Sequence, residues 1–264
     1  MNCDYTGFTD THAHLSYLKD RGVPLEGLPE ALAGGGFGFI LDIGTDAGDI
    51  EGRIATLSRY PNVRFATGVW PYSGQICRIQ ENADALEKNL TSAPPGLIVA
   101  IGECGFDFRE NPQEPAEETA FLEMQLTLAQ KYSLPIIIHS REAPRRTLET
   151  LRRFPAVRGV IHCFSYTKEE ARLFLDMGYY ISFAGNLTFK NAQPLREACA
   201  MVSAGRLLLE TDSPFLAPAP WRGKPCHPGM IAETYRLAAE LRGISLDNLK
   251  TLISANARAL FALD

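Results

Sequence analysis

The chain has 264 residues, 45% of them hydrophobic, enough to bury the core of one α/β barrel. Its net charge of -5 and pI of about 5.6 exclude a global attraction to nucleic acid or to anionic membranes, so a nucleic-acid substrate would need local positive charge. The sequence shows no secretory leader, no apolar run of about eighteen residues and no Cys-x-x-Cys pair. We therefore expect a cytoplasmic protein with reduced thiols, no membrane association and no protein partner.

Eight short apolar runs have the length and composition of buried parallel strands. They lie near residues 7–12, 38–43, 64–69, 97–102, 135–139, 158–162, 179–183 and 206–210. Segments with helical periodicity alternate with them. These lie at about 24–33, 47–60, 80–91, 114–132, 142–153, 168–177 and 191–203, and two more follow at about 229–242 and 245–261.

This alternation of strands and helices predicts a parallel sheet, and eight strands predict a closed (β/α)8 TIM-type barrel with an additional C-terminal helix. No linker, repeat or low-complexity stretch divides the chain, so we expect residues 1–264 to form a single domain. The longest irregular stretches, 70–78 and 213–228, follow the third and eighth strands and should lie on the catalytic face.

Six side chains that commonly bind metals stand at the ends of the predicted strands. Any one of them alone could be a hydrogen-bonded core histidine or a carboxylate that caps a helix. The turn-forming sequence around Asp212 favours the capping role for that residue. Together they favour a metal site, because the carboxyl ends of barrel strands converge on one face. The six are His12 and His14 at the first strand, Glu103 after the fourth, His139 after the fifth, His162 after the sixth and Asp212 after the eighth.

Six nitrogen and oxygen ligands exceed what one tetrahedral zinc ion needs but suit two divalent ions that share a carboxylate. Imidazole and carboxylate ligands suit Zn, Mn or, less comfortably, Mg, and the sequence does not choose among them. The expected ligands are His12, His14 and Asp212 for one ion, His139 and His162 for the other, and Glu103 as the bridge.

Several segments share a family pattern in chain order. They are Phe-Thr-Asp-Thr-His-Ala-His-Leu (8–15), Ile-Gly-Glu-Cys-Gly-Phe-Asp-Phe (101–108), Ile-Ile-Ile-His-Ser-Arg-Glu-Ala (136–143), Ile-His-Cys-Phe-Ser (161–165), Asn-Leu-Thr-Phe-Lys (186–190) and Leu-Leu-Glu-Thr-Asp-Ser-Pro (208–214). With these motifs the chain resembles the TatD-type metal-dependent deoxyribonucleases of the amidohydrolase-like barrel superfamily. The resemblance implies a TIM-type barrel, the same six metal ligands, and metal-dependent hydrolysis of DNA phosphodiesters, often from a 3′ end.

Two segments depart from the family pattern and bear on substrate handling. Where the family usually has Gly-Val-His-Pro-His after the third strand, this chain has Gly-Val-Trp-Pro-Tyr, so Trp70 and Tyr72 replace both histidines. Trp70 could stack on an unpaired base or pack the barrel rim, and Tyr72 could donate a hydrogen bond to phosphate. The family tends to show Arg-Gly-Lys-x-Asn-x-Pro where residues 222–228 read Arg-Gly-Lys-Pro-Cys-His-Pro, and we expect His227 to be a solvated loop histidine.

Four cationic side chains that follow strands are candidates for holding phosphate near the metals. They are Arg141, Lys190, Arg222 and Lys224. Asp212, beside a metal-activated water, is the expected general base, and Glu103 acts with it through the metals.

Three further residues lie next to predicted ligands in the sequence. Asp10 should either orient an imidazole from behind or satisfy backbone groups at the end of the barrel. Cys104 and Cys163 each follow a predicted ligand, so strand alternation should turn both into the layer between sheet and helices.

The preferred hypothesis is a hydrolase that cleaves single-stranded or frayed DNA ends with two divalent metal ions. The alternative is a metallo-hydrolase of an amide, lactone or aminoacyl ester, because related barrel sites activate water against several electrophiles. A metal-loaded binding protein without activity is disfavoured, since the ligand set is complete.

Overall fold

The computed structural model describes residues 5–23, 27–34, 36–111 and 115–263. Eight parallel strands form one sheet, in which each strand pairs with the next along the chain. All eight predicted strands are confirmed. They are β1 (Phe8–Ala13), β2 (Phe37–Ile43), β3 (Val63–Thr67), β4 (Ile98–Asp107), β5 (Ile136–Arg141), β6 (Gly159–Ile161), β7 (Tyr180–Phe183) and β8 (Leu207–Leu209).

The barrel closes between β1 and the segment that follows β8. Ala13 forms a parallel bridge with Ser213. The amide of His14 donates to the carbonyl of Ser213 at 2.8 Å, and the amide of Asp212 donates to the carbonyl of His12 at 2.9 Å. The predicted TIM-type barrel is thus confirmed, and closure brings residues from the two ends of the chain together.

Helices surround the barrel much as the periodicity predicts. Within the described residues they are α1 (Leu28–Ala33), α2 (Ile50–Leu57), α3 (Ser73–Ile76), α4 (Ile79–Ser92), α5 (Pro115–Tyr132), α6 (Pro144–Leu151), α7 (Lys168–Asp176), α8 (Gln193–Met201), α9 (Ile231–Arg242) and α10 (Leu246–Phe261). The predicted starts at residues 24 and 114 lie outside the described residues. Sequence periodicity missed the four-residue α3, because one helical turn carries too few positions to show a period. Helix α10 is the predicted additional C-terminal helix.

Local sequence signals account for several helix ends. Thr167 and Glu170 form a reciprocal capping box at the start of α7, and Ser245 caps α10 by accepting from the amide of Asn248 at 3.2 Å. Gly243 ends α9 in the left-handed conformation that glycine adopts without steric cost. No helix in the described part of the chain is long and apolar enough to cross a membrane.

Strand β4 extends five residues beyond its predicted end, with every residue buried. The extension pairs with β5 through Gly105 opposite His139 and Asp107 opposite Arg141. A Cβ at position 105 would collide with the carbonyl of His139, so glycine permits this close approach. The longer strand places Glu103 and Asp107 beside the end of β5.

A buried arginine ties the strands to the segment after β1. Arg53 of α2 contacts Asp42 Oδ2 at 2.9 Å and donates to the carbonyl of Ala66 in β3 at 2.7 Å. Asp42 in turn accepts from the amide of Leu15 through Oδ1 at 2.9 Å. Because both charges of the pair are buried, loss of either one would leave the other uncompensated. The network also fixes the backbone next to His14.

Candidate metal centre

The six predicted ligand side chains meet at the carboxyl end of the barrel, beside a cavity of about 700 Å³. Five of them line the cavity, and His12 lies fully buried among them. Their ligand atoms form three groups in which all members lie within 4.8 Å of one another. The groups are His12, His162 and Asp212; His12, His14 and Glu103; and Glu103, His139 and His162.

The carboxylate of Glu103 lies between two pairs of imidazoles. Its Oε1 is 2.9 Å from both His139 Nδ1 and His162 Nε2. Its Oε2 is 3.4 Å from His12 Nε2 and 3.5 Å from His14 Nε2. One carboxylate therefore presents a different oxygen to each histidine pair, which is the arrangement of a ligand shared by two cations.

Asp212 contacts both histidines of the first pair and also has a ligand atom within 4.8 Å of His162. Its Oδ1 lies 3.6 Å from His12 Nε2 and 3.5 Å from His14 Nε2. Its backbone has φ of 55°, a left-handed conformation that aspartate tolerates better than most residues. The bond from its amide to the carbonyl of His12 holds it there.

Asp10 holds the backbone of β1 and of the segment after β8 in place beside the cluster. It accepts from the amides of His12 at 3.2 Å and Thr211 at 3.0 Å, and from the Thr211 hydroxyl at 2.6 Å. The bonded partners of Asp10 are thus backbone groups and a hydroxyl rather than an imidazole, which is the second of the two roles expected for it.

The imidazoles are oriented from behind by groups that the sequence analysis did not identify. His139 Nε2 is 2.9 Å from Asp107 Oδ2, and His162 Nδ1 is 3.3 Å from Glu210 Oε1. His14 Nδ1 is 3.2 Å from the carbonyl of Ile43. Such contacts fix which ring nitrogen points into a metal site. The sequence did hold a signal, because Asp107 shares a strand face with Glu103.

The cluster is electrostatically coupled. Burial alone would raise the pKa of Glu103, but His162 and the other imidazoles that contact it hold that pKa well below its ordinary value. Burial opposes protonation of His162, yet Glu103 and Glu210 raise its pKa well above the usual value. Burial lowers the pKa of His12 to about 4. A buried anion surrounded by imidazole nitrogens is a donor set that fits divalent cations, which would replace the imidazole protons.

Three of the predicted substrate contacts line the same cavity. Arg141 has a 40% exposed side chain and lies 3.6 Å from Asp107 Oδ2. The ring of Trp70 lies edge-on to that of His139, with 5.6 Å between the ring centroids. It stacks on the ring of Tyr72, with 6.3 Å between the centroids. The hydroxyl of Tyr72 donates to Asp46 at 3.1 Å, so its proton is engaged within the protein.

The other three predicted phosphate contacts lie away from this cavity. Arg222 and Lys224 line a neighbouring cavity, because the loop after β8 carries them outward. Lys190 is exposed and lines neither cavity.

Two minor expectations are wrong, and a third is confirmed. His227 is buried, where its Nδ1 accepts from the amide of Gly229 at 3.0 Å and burial lowers its pKa to about 4. Cys163 lines the metal-site cavity, since β6 ends at Ile161 and a φ of 45° breaks strand alternation. Cys104, within β4, is fully buried as expected.

Comparisons with known proteins agree with this geometry. A sequence model of the family described as TatD related DNase matches residues 9–262. The chain is 36% identical over 205 residues to the uncharacterized metal-dependent hydrolase YcfH of Escherichia coli K12, covering 77% of this chain and 75% of that protein. It is 33% identical over 255 residues to the 3'-5' ssDNA/RNA exonuclease TatD of Erwinia amylovora, covering 94% and 95%. The crystal structure of YJJV, a TatD homologue from Escherichia coli K12, superposes with a TM-score of 0.86 at 29% identity, covering 98% of this chain and 100% of that one.

The coupled cluster predicts how metal removal affects stability. In the folded protein Asp107 and Glu103 raise the pKa of His139 above the usual value, and Glu103 and Glu210 raise that of His162. Their protons therefore stabilise the fold fully below about pH 6.5, and this stabilisation is lost as pH rises through the folded pKa values. In chelator-treated protein the free energy of unfolding should fall as the pH rises above about 6.5.

Urea unfolding of the Glu103→Gln variant checks the cause. Without the charge of Glu103 the fall should be shallower, whereas Glu240→Gln, which changes an exposed residue of α9, should keep the parent slope. Equal slopes in all three proteins would refute this coupling.

Proposed function

We propose that this chain, which belongs to the TatD related DNase family and is a metal-dependent hydrolase, cleaves DNA phosphodiester bonds at single-stranded or frayed ends, from the 3′ end. The observation that carries the proposal is the position of Glu103, whose two oxygens each face one histidine pair. The cavity beside it is lined by Arg141, Trp70 and Tyr72 among other residues. A phosphodiester needs both a polarised phosphoryl group and an activated water, and two ions that share a carboxylate meet both needs.

We keep the division of the six ligands between two ions that the sequence predicts. His12, His14 and Asp212 would hold one ion, His139 and His162 the other, and Glu103 both. Bound there, the ions would supply an activated water and neutralise charge on the phosphate. The nitrogen-rich ligand set suits Zn or Mn better than Mg.

The two carboxylates take different roles because their surroundings differ. The pKa of Glu103 is held well below its usual value by the imidazoles, so it stays ionised and serves as the shared ligand. Asp212 turns Oδ1 toward His12 and His14, and we assign its Oδ2 to accept the proton of the attacking water and return it to the leaving oxygen.

Arg141 is the residue that we assign to the scissile phosphate. It stands at the end of β5, two residues after His139, with its side chain partly in solvent and partly against Asp107. A guanidinium in this position can donate to a phosphoryl oxygen and balance charge that develops during hydrolysis.

We assign the proposed preference for unpaired ends to Trp70 and Tyr72. Their rings stack at an interplanar angle of 23° on the wall of the cavity, and Tyr72 is anchored by its hydrogen bonds with Asp46 and Gln75. An unpaired base can stack on such a surface, whereas a base inside a duplex has both faces covered. Because the hydroxyl proton of Tyr72 is engaged, we assign this residue to stacking rather than to phosphate binding.

Digestion of end-labelled single-stranded DNA tests the activity. With Mg, Mn and Zn supplied separately, we expect the parent to shorten the strand from its 3′ end with at least one metal. Glu103→Ala and Asp212→Ala should each lower the rate by at least about a hundredfold, while Glu240→Ala should retain it. DNA that survives intact with every metal would rule the proposal out.

The salt dependence of the same reaction separates substrate classes. Hydrolysis of a phosphodiester chain should weaken steeply with salt, and Arg141→Ala should reduce kcat/KM. Salt-insensitive hydrolysis of a neutral amide, lactone or ester, unaffected by Arg141→Ala, would favour the alternative substrate class instead.

Asp107 should tune metal affinity through His139. Asp107→Asn keeps the size of the side chain but removes the charge that faces His139 Nε2 at 2.9 Å. We expect about a 10- to 100-fold loss of zinc affinity, measured by competition with a chromogenic chelator. Asp247→Asn, at an exposed position of α10, is the matched control, and an affinity equal to that of the control would contradict this role.

A further inference from the structure

A second cavity of about 600 Å³ adjoins the metal-site cavity. The two share Arg21, Phe215 and Leu216 in their linings, so these side chains form the boundary between them. Phe215 also sets its ring edge-on to His14 at 5.7 Å. A chain that leaves the metal site across Phe215 therefore enters the second cavity directly.

The second cavity is lined by positive charge without acidic residues. Arg21, Arg222 and Lys224 contribute side chains, and the remaining lining residues are apolar or glycine. All three cations are exposed, and none forms a salt bridge with a carboxylate in the described part of the chain. In a protein with a net charge of -5, this is a local concentration of charge suited to a polyanion.

Two of the cations lie over aromatic rings. The guanidinium of Arg222 is 4.4 Å from the ring centroid of Phe189, and that of Arg21 is 5.4 Å from the ring centroid of Phe215. Cation–π contact holds a guanidinium flat against a ring while leaving its edge free to donate hydrogen bonds. The cavity thus offers both stacking surfaces and phosphate donors, the two features of surfaces that bind single-stranded nucleic acid.

We propose that the second cavity binds the nucleotides of a single strand that continue beyond the scissile phosphodiester. This inference rests on the proposed function and adds a second binding subsite to it. Arg222 and Lys224 would hold phosphates of the continuing strand rather than the phosphate at the metals, and Arg21 and Phe215 would guide the strand between the two cavities. Binding energy gained here would favour longer strands over dinucleotides.

Comparison of two substrate lengths tests the subsite in the metal-loaded protein. The parent should have a higher kcat/KM for a thymidine hexanucleotide than for a thymidine dinucleotide. Arg222→Gln combined with Lys224→Gln should lower the ratio of these two values by about tenfold, mainly through the KM of the hexanucleotide. Phe189→Ala should lower the same ratio, since it removes the ring under Arg222.

The matched control removes the same charge at the opposite end of the barrel. Arg152→Gln combined with Arg158→Gln changes two exposed residues between α6 and β6, and it should keep the parent ratio. An equal ratio for the Arg222/Lys224 double variant and this control would overturn the inference.

A binding measurement separates failure of the inference from failure of the proposed function. Fluorescence anisotropy of a labelled hexanucleotide, measured in the Asp212→Ala background, reports the subsite without cleavage. Weaker binding in the Arg222/Lys224 variant than in the control supports the subsite even if neither oligonucleotide is hydrolysed. Equal binding, or displacement of the hexanucleotide by poly-glutamate as effective as by unlabelled oligonucleotide, would overturn it.

Discussion

The structure of the site depends on one buried carboxylate shared by four imidazoles. Glu103 is almost fully buried, and an isolated charge there would cost several kcal/mol of desolvation. The cost is offset because each oxygen faces its own histidine pair. Protons can provide the balancing positive charge, and so can divalent cations, which bind the same nitrogens without the repulsion between neighbouring imidazolium groups. The cluster is thus arranged for metal before any substrate arrives.

The barrel makes this convergence possible by bringing distant segments to one end. Closure between β1 and the segment after β8 places His12 next to Asp212, and the extended β4 places Glu103 beside β5. Carboxylates and carbonyls behind the imidazoles then fix their orientation. The metal centre therefore depends on the whole barrel. The strands position the ligand residues, and the buried polar network orients their imidazole rings.

Features that depend on local pattern could be predicted from the sequence. Apolar runs located all eight strands, and the histidines at their ends identified the candidate ligands, because parallel strands place such residues on one face. Features that depend on contacts between distant segments could not. The sequence around His227 gives no sign that this residue is buried. In the structure it lies against Tyr5, near the start of the chain. Cys163 departs from strand alternation because its backbone turns left-handed, and no residue type signals that turn.

The positions of the candidate substrate contacts were the hardest to predict from the sequence, because they too depend on how distant segments come together. Arg222 and Lys224 follow the last strand in sequence, but the length of the loop moves them into a separate cavity, where Arg21 joins them from the other end of the chain. Under the proposed function and the proposed subsite, the bond would be cleaved at the metals and the strand would be held beyond Phe215. The replacement of two family histidines by Trp70 and Tyr72 then alters the wall of the first cavity and leaves the ligands intact.

We propose that Glu103 bridges two metal ions. Anomalous X-ray scattering at the zinc absorption edge, from crystals grown with zinc, tests it most directly. We expect two peaks, one between Glu103 and the pair His12 and His14, the other between Glu103 and the pair His139 and His162. A single peak, or peaks away from Glu103, would contradict it.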